Sequence, residues 1–291
     1  MPLPICFLNG QYLQLSQATV SPLDRAFLFG DAVYEVIPVY AGRPFRFREH
    51  FDRLVRSLAA IRMTPALSHG EWADVCRDLM RHNGASDRDL YIYVQVTRGA
   101  EFGRNHAWPD GLKPTLFAYL SVLEPVSQSL LQNGVAAITA EDIRWARRDI
   151  KSTALLANVL LKKLANDRGA FETILLEDGE LTEGSSTTVH IVSGGRLRTP
   201  PNSHHILPGT TRDVVTEIAD RLGMPSDAGA VSERQLRAAE EIWLSFSTRG
   251  ILPVTRLDGA AVGDGQPGSA FRRMHDAFVN YRLELASLAW L

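Results

Sequence analysis

The stretch EDIRWARRDIKS, residues 141–152, carries a lysine between Ile150 and Ser152, immediately ahead of an apolar helical pattern. An amine at a strand-to-helix junction with apolar neighbours is expected to be partly desolvated, which favours the nucleophilic form that attacks a carbonyl. The competing reading of Lys151 is a solvated surface charge, as for most lysines. Lysine, however, stands at only four positions, Lys113, Lys151, Lys162 and Lys163, among 31 basic side chains. Lys113 precedes Pro114 in a loop, and Lys162 and Lys163 are neighbours on one helix, where both cannot face inward. Lys151 is the best placed of the four for covalent chemistry.

Upstream, ICFLNGQYLQL (5–15) reads as two strands around Asn9-Gly10, and VYEVIPVYAGRPFRF (33–47) as a second pair around Ala41-Gly42. Pro38 lacks a ladder donor and marks an edge or a bulge. HFDRLVRSLAAIRM (50–63) places Phe51, Leu54, Val55, Leu58 and Ile61 on one helical face, and a second helix covers 69–82. LYIYVQVTRG (90–99) and PTLFAYLSVL (114–123) read as interior strands. The polar run 122–133 reads as a linker between an N-terminal α/β domain (1–121) and a C-terminal domain (134–291).

Downstream, a strand near 135–140 precedes a helix at 154–168, with Leu155, Leu156, Val159, Leu160 and Leu164 predicted inward and Gly169 as its stop. FETILLEDGELTEG (171–184) turns at Asp178-Gly179, and TTVHIVSGGRLRTP (187–200) turns at Gly194-Gly195. A helix is expected from Arg212, a strand over EIWLSFS (241–247), and a terminal helix from about Phe271. Strands recur without regular βαβ alternation, so the fold class is α+β.

The composition, 45% hydrophobic and 22% charged over 291 residues, is that of a globular chain long enough for two domains. A net charge of −2 offers no broad basic surface, which argues against nucleic acid as a partner. Cys6 and Cys76 form neither a disulfide framework nor a CxxC zinc site. The opening MPLPICFLNGQ lacks the basic region of a secretory signal, and no apolar run approaches the ~18 residues of a membrane span. The expectation is a soluble cytoplasmic protein with no membrane partner.

Two decoys fall away. GDGQPG (263–268) matches GxGxxG by letter, but no long apolar strand precedes it and a proline stands where a helix should enter, so it reads as a turn. His204 and His205, adjacent on an extended chain, should point opposite ways with no acidic partner nearby, so no metal site is expected. LTEGSS (181–186) and LPGTTRDVV (207–215) have ordinary readings as a solvated turn and an N-cap. Taken with Lys151 they meet one set of needs. Glu183 can pair with a protonated heteroaromatic nitrogen, and Thr210 and Thr211 begin a helix whose free amides attract an anion. An imine-forming amine, a ring-nitrogen partner and a phosphate cradle are the requirements of pyridoxal phosphate.

With DRAFLFGDAVYEV (24–36), EHFDR (49–53), VTRG (96–99), RNHAWP (104–109) and ILPGTTRDVV (206–215), these motifs run in order from about Asn9 to about Arg256. Together they resemble the fold-type IV pyridoxal-phosphate transaminases, and within that family the enzymes acting on D-amino acids. The resemblance implies an α+β protein with a small N-terminal α/β domain, a larger C-terminal domain with a barrel-like sheet, and pyridoxal 5′-phosphate between them. It makes Lys151 the Schiff-base lysine and proton shuttle, and Glu183 the partner of the ring nitrogen. Arg53, Thr210 and Thr211 would hold the phosphate, with Ser186, Ser247 and Thr248 as further cofactor contacts and Leu207 packed on the ring. Tyr34, Arg104 and His106 would bind the substrate carboxylate, the last two reaching the neighbouring subunit's site in a homodimer. The implied reaction is ping-pong amino transfer between D-amino acids (D-alanine, D-glutamate) and 2-oxo acids (pyruvate, 2-oxoglutarate). Branched-chain and (R)-amine transaminases and aminodeoxychorismate lyase are the rivals of the same fold, and a non-catalytic metabolite-binding protein is the rival of another class. Arg249 and Pro38 depart from the family pattern and bear on substrate range.

Overall fold

In the computed structural model, which describes residues 1–286, the chain divides into two units. One comprises Met1–Glu124 with Ile150–Ala154, the other Pro125–Asp149 with Leu155–Glu284. The first unit runs β1 (Pro2–Leu8), β2 (Gln11–Gln14), α1 (Arg25–Phe29), β3 (Ala32–Tyr40), β4 (Arg43–Pro44), α2 (Phe47–Ala60), α3 (His69–His82), β5 (Leu90–Thr97) and β6 (Thr115–Val122). Its described strands make a six-stranded sheet in the order β2-β1-β6-β5-β3-β4, every pair antiparallel.

Period-two alternation sorts this sheet into two faces. Val33, Ile37 and Val39 of β3, Leu90, Ile92 and Val94 of β5, and Leu120 of β6 share one buried core with Phe51, Leu54 and Leu58 of α2 and Trp72, Cys76 and Leu79 of α3. The other face carries a half-buried aromatic ladder. Tyr34, Tyr93, Phe117 and Tyr119 stack from strand to strand with ring centres 5.2–6.5 Å apart. Pro38 pairs in register with Tyr91, and its carbonyl accepts from the Phe45 amide at 2.8 Å on the β4 side. Its missing N–H falls on that same side, beside the short edge strand, so the β5 ladder loses no donor.

Residues 150–153 complete this unit. Val33 and Ser152 form an antiparallel bridge, the Tyr34 amide donates to the Lys151 carbonyl at 3.0 Å, and the Thr153 amide donates to Ala32 at 3.0 Å. Gly30, the left-handed C-cap of α1, makes room for this return, since a Cβ there would stand 3.2 Å from the Ala154 side chain.

The second unit runs α4 (Gln128–Asn133), β7 (Val135–Glu141), α5 (Leu156–Asp167), β8 (Glu172–Glu177), β9 (Glu180–Gly184), β10 (Thr188–Ser193), β11 (Arg196–Thr199), α6 (Thr210–Arg221), β12 (Ser226–Ala228), α7 (Glu233–Arg237), β13 (Glu241–Phe246), β14 (Gly250–Leu257), β15 (Ala260–Ala261) and α8 (Ser269–Ala286). Its described strands form a nine-stranded sheet, β12-β11-β10-β13-β14-β7-β8-β9 with β15 on β14, mixed in direction. Two sheets of different strand order, one antiparallel and one mixed, are the α+β architecture read from the sequence.

Several local readings change. Residues 128–133, expected within a linker, form α4 behind a Ser127 cap. The α6 helix begins at Thr210, two residues before the expected Arg212. The face of α5 is the larger correction. Leu156, Val159 and Leu160, expected inward, are 74%, 60% and 55% exposed, while Leu161 and Ala165 are buried. This helix carries leucine on two sides, and the packed side is the one that meets Ile138 and Ala170. Each outward leucine forgoes ~1.5–3 kcal/mol of burial within the single chain. Among the described residues no helix is long and apolar enough to cross a membrane.

Candidate active site

In the first unit, the bridge to β3 places Lys151 beside Tyr34. Its ammonium lies 4.4 Å from the centre of the Tyr34 ring, a cation–π contact worth ~0.5–1 kcal/mol. The Lys151 amide donates to the Ser57 hydroxyl at 3.2 Å. The lysine is half-buried, with its backbone tied on both sides of its side chain.

One residue along β3, Glu35 points to the opposite, fully buried side. Its carboxylate accepts from Arg53 Nε at 2.7 Å and Arg53 Nη2 at 2.9 Å, and it lies 2.7 Å from His50 Nδ1. Burial by itself would raise the Glu35 pKa. The Arg53 charge and fork, aided by His50, outweigh that and hold the carboxyl well below the usual range. Burial also lowers the His50 pKa against the pull of Glu35. Arg53, expected at a phosphate, therefore commits two of its nitrogens to Glu35. Sequence reading missed Glu35 and His50. Their signal was a charged residue at a core position between Val33 and Ile37, opposite two polar side chains three apart on α2.

Arg104 and His106 occupy the exposed loop between β5 and β6. Both lie against Phe29, the Arg104 guanidinium 5.0 Å and the His106 ring 5.3 Å from its centre. Among the described residues neither is hydrogen-bonded, ion-paired or stacked with Tyr34 or Lys151.

In the second unit, Glu183 is the penultimate residue of β9 and is 5% exposed. It accepts from Arg144 Nη1 at 2.6 Å and from the Leu207 amide at 3.2 Å. Arg144 also grips Asp142, with Nε and Nη2 at 2.9 and 2.6 Å, and Thr182 donates to the same carboxylate at 2.7 Å. Burial pushes the Glu183 carboxyl above its ordinary pKa, and the Arg144 charge offsets this only in part. Arg144 divides its charge between two buried carboxylates, and Arg148, which gives its two outer nitrogens to Glu177, also lies 3.5 Å from Asp142 through Nε. Arg144 and Asp142 were quoted within the opening motif, but nothing in their spacing disclosed this pairing.

The remaining residues sort as follows. Ser186 donates to Glu172 at 3.0 Å, and Ser185 donates to the same buried carboxylate. Leu207 is half-buried and meets Glu183 through its amide. Thr210 and Thr211 are buried in the first turn of α6, where Gly209 caps without a side chain. A Cβ at Gly209 would stand 2.8 Å from Thr188 Oγ1, so the approach of the helix start to β10 requires glycine. Ser247 and Thr248 are half-buried in the turn from β13 to β14. Arg249, next in that turn, is exposed and lies 5.6 Å from the Phe171 ring. The two histidines depart from expectation: they sit in a turn, not an extended segment, so their rings meet at 4.0 Å, and His205 lies 2.6 Å from Glu177. Among the described residues no cluster of ligating side chains could hold a metal.

Three comparisons with known proteins give one family. The family described as amino-transferase class IV matches residues 32–257. A D-alanine aminotransferase of Bacillus licheniformis is 38% identical over 94% of this chain and 95% of its own, and one of Listeria monocytogenes is 36% identical over 93% of each. Among solved structures, the branched-chain amino acid aminotransferase of Escherichia coli superposes with a TM-score of 0.86 at 27% identity, over 96% of this chain and 94% of that one. A T.th. branched-chain amino acid aminotransferase with pyridoxamine 5′-phosphate gives 0.88 at 25% identity, over 96% and 93%. With a family match spanning most of its length and relatives more than a third identical, the chain belongs to the class IV aminotransferases.

Proposed function

We propose that this chain is a D-amino acid aminotransferase, exchanging amino groups between D-alanine or D-glutamate and 2-oxo acids such as pyruvate and 2-oxoglutarate. The names of its relatives and the carboxylate-binding pattern at Tyr34, Arg104 and His106 support that substrate class. Class IV aminotransferases use pyridoxal phosphate. The residues present fit that group. Glu183 is a buried carboxylate whose pKa burial raises against the Arg144 charge, the kind of acceptor a protonated ring nitrogen would pair with. The first turn of α6 offers backbone amides and the positive end of a helix for a phosphate.

Lys151, Glu183, Leu207, Thr210 and Thr211 are the residues that would hold the cofactor, with Arg53, Ser186, Ser247 and Thr248. Bound there, the cofactor supplies an electron sink for the bond to the substrate Cα hydrogen. Lys151 would supply the amine for the cofactor aldehyde and would hold the proton moved to and from the substrate Cα, and Glu183 would hold the ring nitrogen in its protonated form. Tyr34, Arg104 and His106 hold the substrate carboxylate, the arginine fork with two charge-assisted bonds, and so decide which enantiomer turns its Cα hydrogen toward Lys151.

The protein acts as a homodimer, with Arg104 and His106 serving the neighbouring subunit's site. The uncovered stripe of Leu156, Val159 and Leu160 supports a second copy as its cover. Its compartment is the cytoplasm, in keeping with two free, buried thiols.

The single observation that carries this reading is the clamping of Lys151 onto β3 beside Tyr34. Borohydride reduction of the holoprotein followed by peptide mass spectrometry should place a pyridoxyl group on Lys151. A panel of D- and L-amino acids should then show turnover on the D series. Turnover confined to L-leucine, L-isoleucine and L-valine would replace this reading with the branched-chain one.

A further inference from the structure

Arg25, on α1, is 3% exposed. Its guanidinium donates to Asp31 at 2.9 Å, to Glu101 at 2.7 Å, and to the carbonyls of Asn105 and His106 at 2.7 and 3.0 Å. Those carbonyls belong to the two residues that follow Arg104. Asp31 is shared: Arg98 grips it with Nε and Nη2 at 2.8 and 3.0 Å, and the Arg98 guanidinium lies 3.9 Å from the Trp108 ring. The main chain at 105–106 and the Trp108 ring are thus held by two buried arginines that share one carboxylate. An open cleft of about 320 Å³ is lined by Arg25, Phe29, Asp31, Arg98, His106 and Trp108 among others, so charge-assisted bonds to the main chain hold this segment where packing is incomplete.

We infer that Arg25 is a positioning residue for substrate selection: it fixes the main chain at 105–106 so that Arg104 and His106 meet a substrate carboxylate at a set spacing. The inference rests on the carboxylate-binding role proposed for that pair. Arginine is required because its planar fork spans two carboxylates and two carbonyls at once. A lysine keeps the charge and loses the geometry.

The test follows the half-reaction of the holoenzyme with D-alanine by cofactor absorbance over a range of D-alanine concentrations. Arg25→Lys should raise the half-saturating concentration about tenfold and leave the saturated rate within about threefold. In an Arg104→Ala, His106→Ala background the same change should have no further effect, because nothing remains to be positioned. An unchanged half-saturation in Arg25→Lys, or a rise undiminished in that background, overturns the positioning role. If Arg104→Ala alone still weakens D-alanine binding, the carboxylate pair stands even so. If Arg104→Ala also changes nothing, the pair itself was misassigned. Should Arg25→Lys fail to fold, Glu101→Gln loosens the same guanidinium from outside and should raise half-saturation about threefold; no rise there overturns the inference.

Discussion

The ammonium of Lys151 stands 4.4 Å from the centre of the Tyr34 ring, and the Tyr34 amide donates to the Lys151 carbonyl at 3.0 Å. A backbone ladder and a side-chain contact therefore join the same two residues. Tyr34→Phe keeps the ring and the ladder and removes the hydroxyl. D-alanine KM should rise about tenfold with kcat changed less than about threefold. Lys151→Ala should lower turnover at least about ten-thousand-fold while the protein still takes up cofactor. Equal losses from both variants would mean that Tyr34 does more than bind a carboxylate.

Glu183 separates stability from function. Its carboxyl is raised by burial, so the ionised form is disfavoured in the folded apoprotein. The sign follows: a raised acid pKa gives up stability as pH climbs above the ordinary value of 4.5. Glu183→Gln should leave the apoprotein melting no lower than wild type at pH 8, yet cut turnover at least about a hundredfold. A marked drop in melting temperature would instead make Arg144 the residue that needs the charge.

His190 gives a pH dependence. It is fully buried, lies 2.9 Å from the Ser245 hydroxyl through Nε2, and burial, helped by Arg212, depresses its pKa from 6.5 to about 3. The unfolded chain takes up a proton near 6.5 that the fold refuses, so stability is full above that pH and falls as pH drops toward 3. This one group costs up to ~1.4 kcal/mol per pH unit in that window. His50 is depressed in the same direction and adds its share. His190→Gln should flatten the decline of melting temperature between pH 6.5 and 4.5 by about half. An unchanged slope would assign the loss elsewhere.

The outward leucines of α5 predict assembly. Leu160→Glu sets a charge in a stripe that a second copy would bury; sedimentation should show the proposed dimer for the unaltered chain and monomer for the variant. A charge left unpaired in an interface costs several kcal/mol, enough to raise the dissociation constant more than about a hundredfold. Persistence of the dimer would place its interface on another surface.

Most elements were legible because turns and periodicity are local. Asn9-Gly10 and Asp178-Gly179 each join paired strands, and α3 spans the predicted 69–82. The inward face of α5 was not legible, since leucine on two sides leaves the choice to whatever packs against it. Lys151 and Glu183 stood out as residue types in context. Their partners did not. Glu35 with Arg53, and Glu183 with Arg144, are 18 and 39 residues apart, and only the fold sets such pairs side by side. Arg249 read as a departure from the family pattern; in the fold it is exposed in the turn from β13 to β14, its guanidinium 5.6 Å from the centre of the Phe171 ring.

The return of Ile150–Ala154 to the first unit has a consequence for biosynthesis. A nascent chain leaving the ribosome cannot finish that unit at Glu124. One edge of β3 at Val33, whose other edge already pairs with β5, waits for Ser152 until Pro125–Asp149 has also been translated. Cutting the gene at 124 would yield an amino half without Lys151 and a carboxyl half with the lysine but no strand to seat it. The seat of that lysine comes into being only with a polypeptide that is longer than its first sheet.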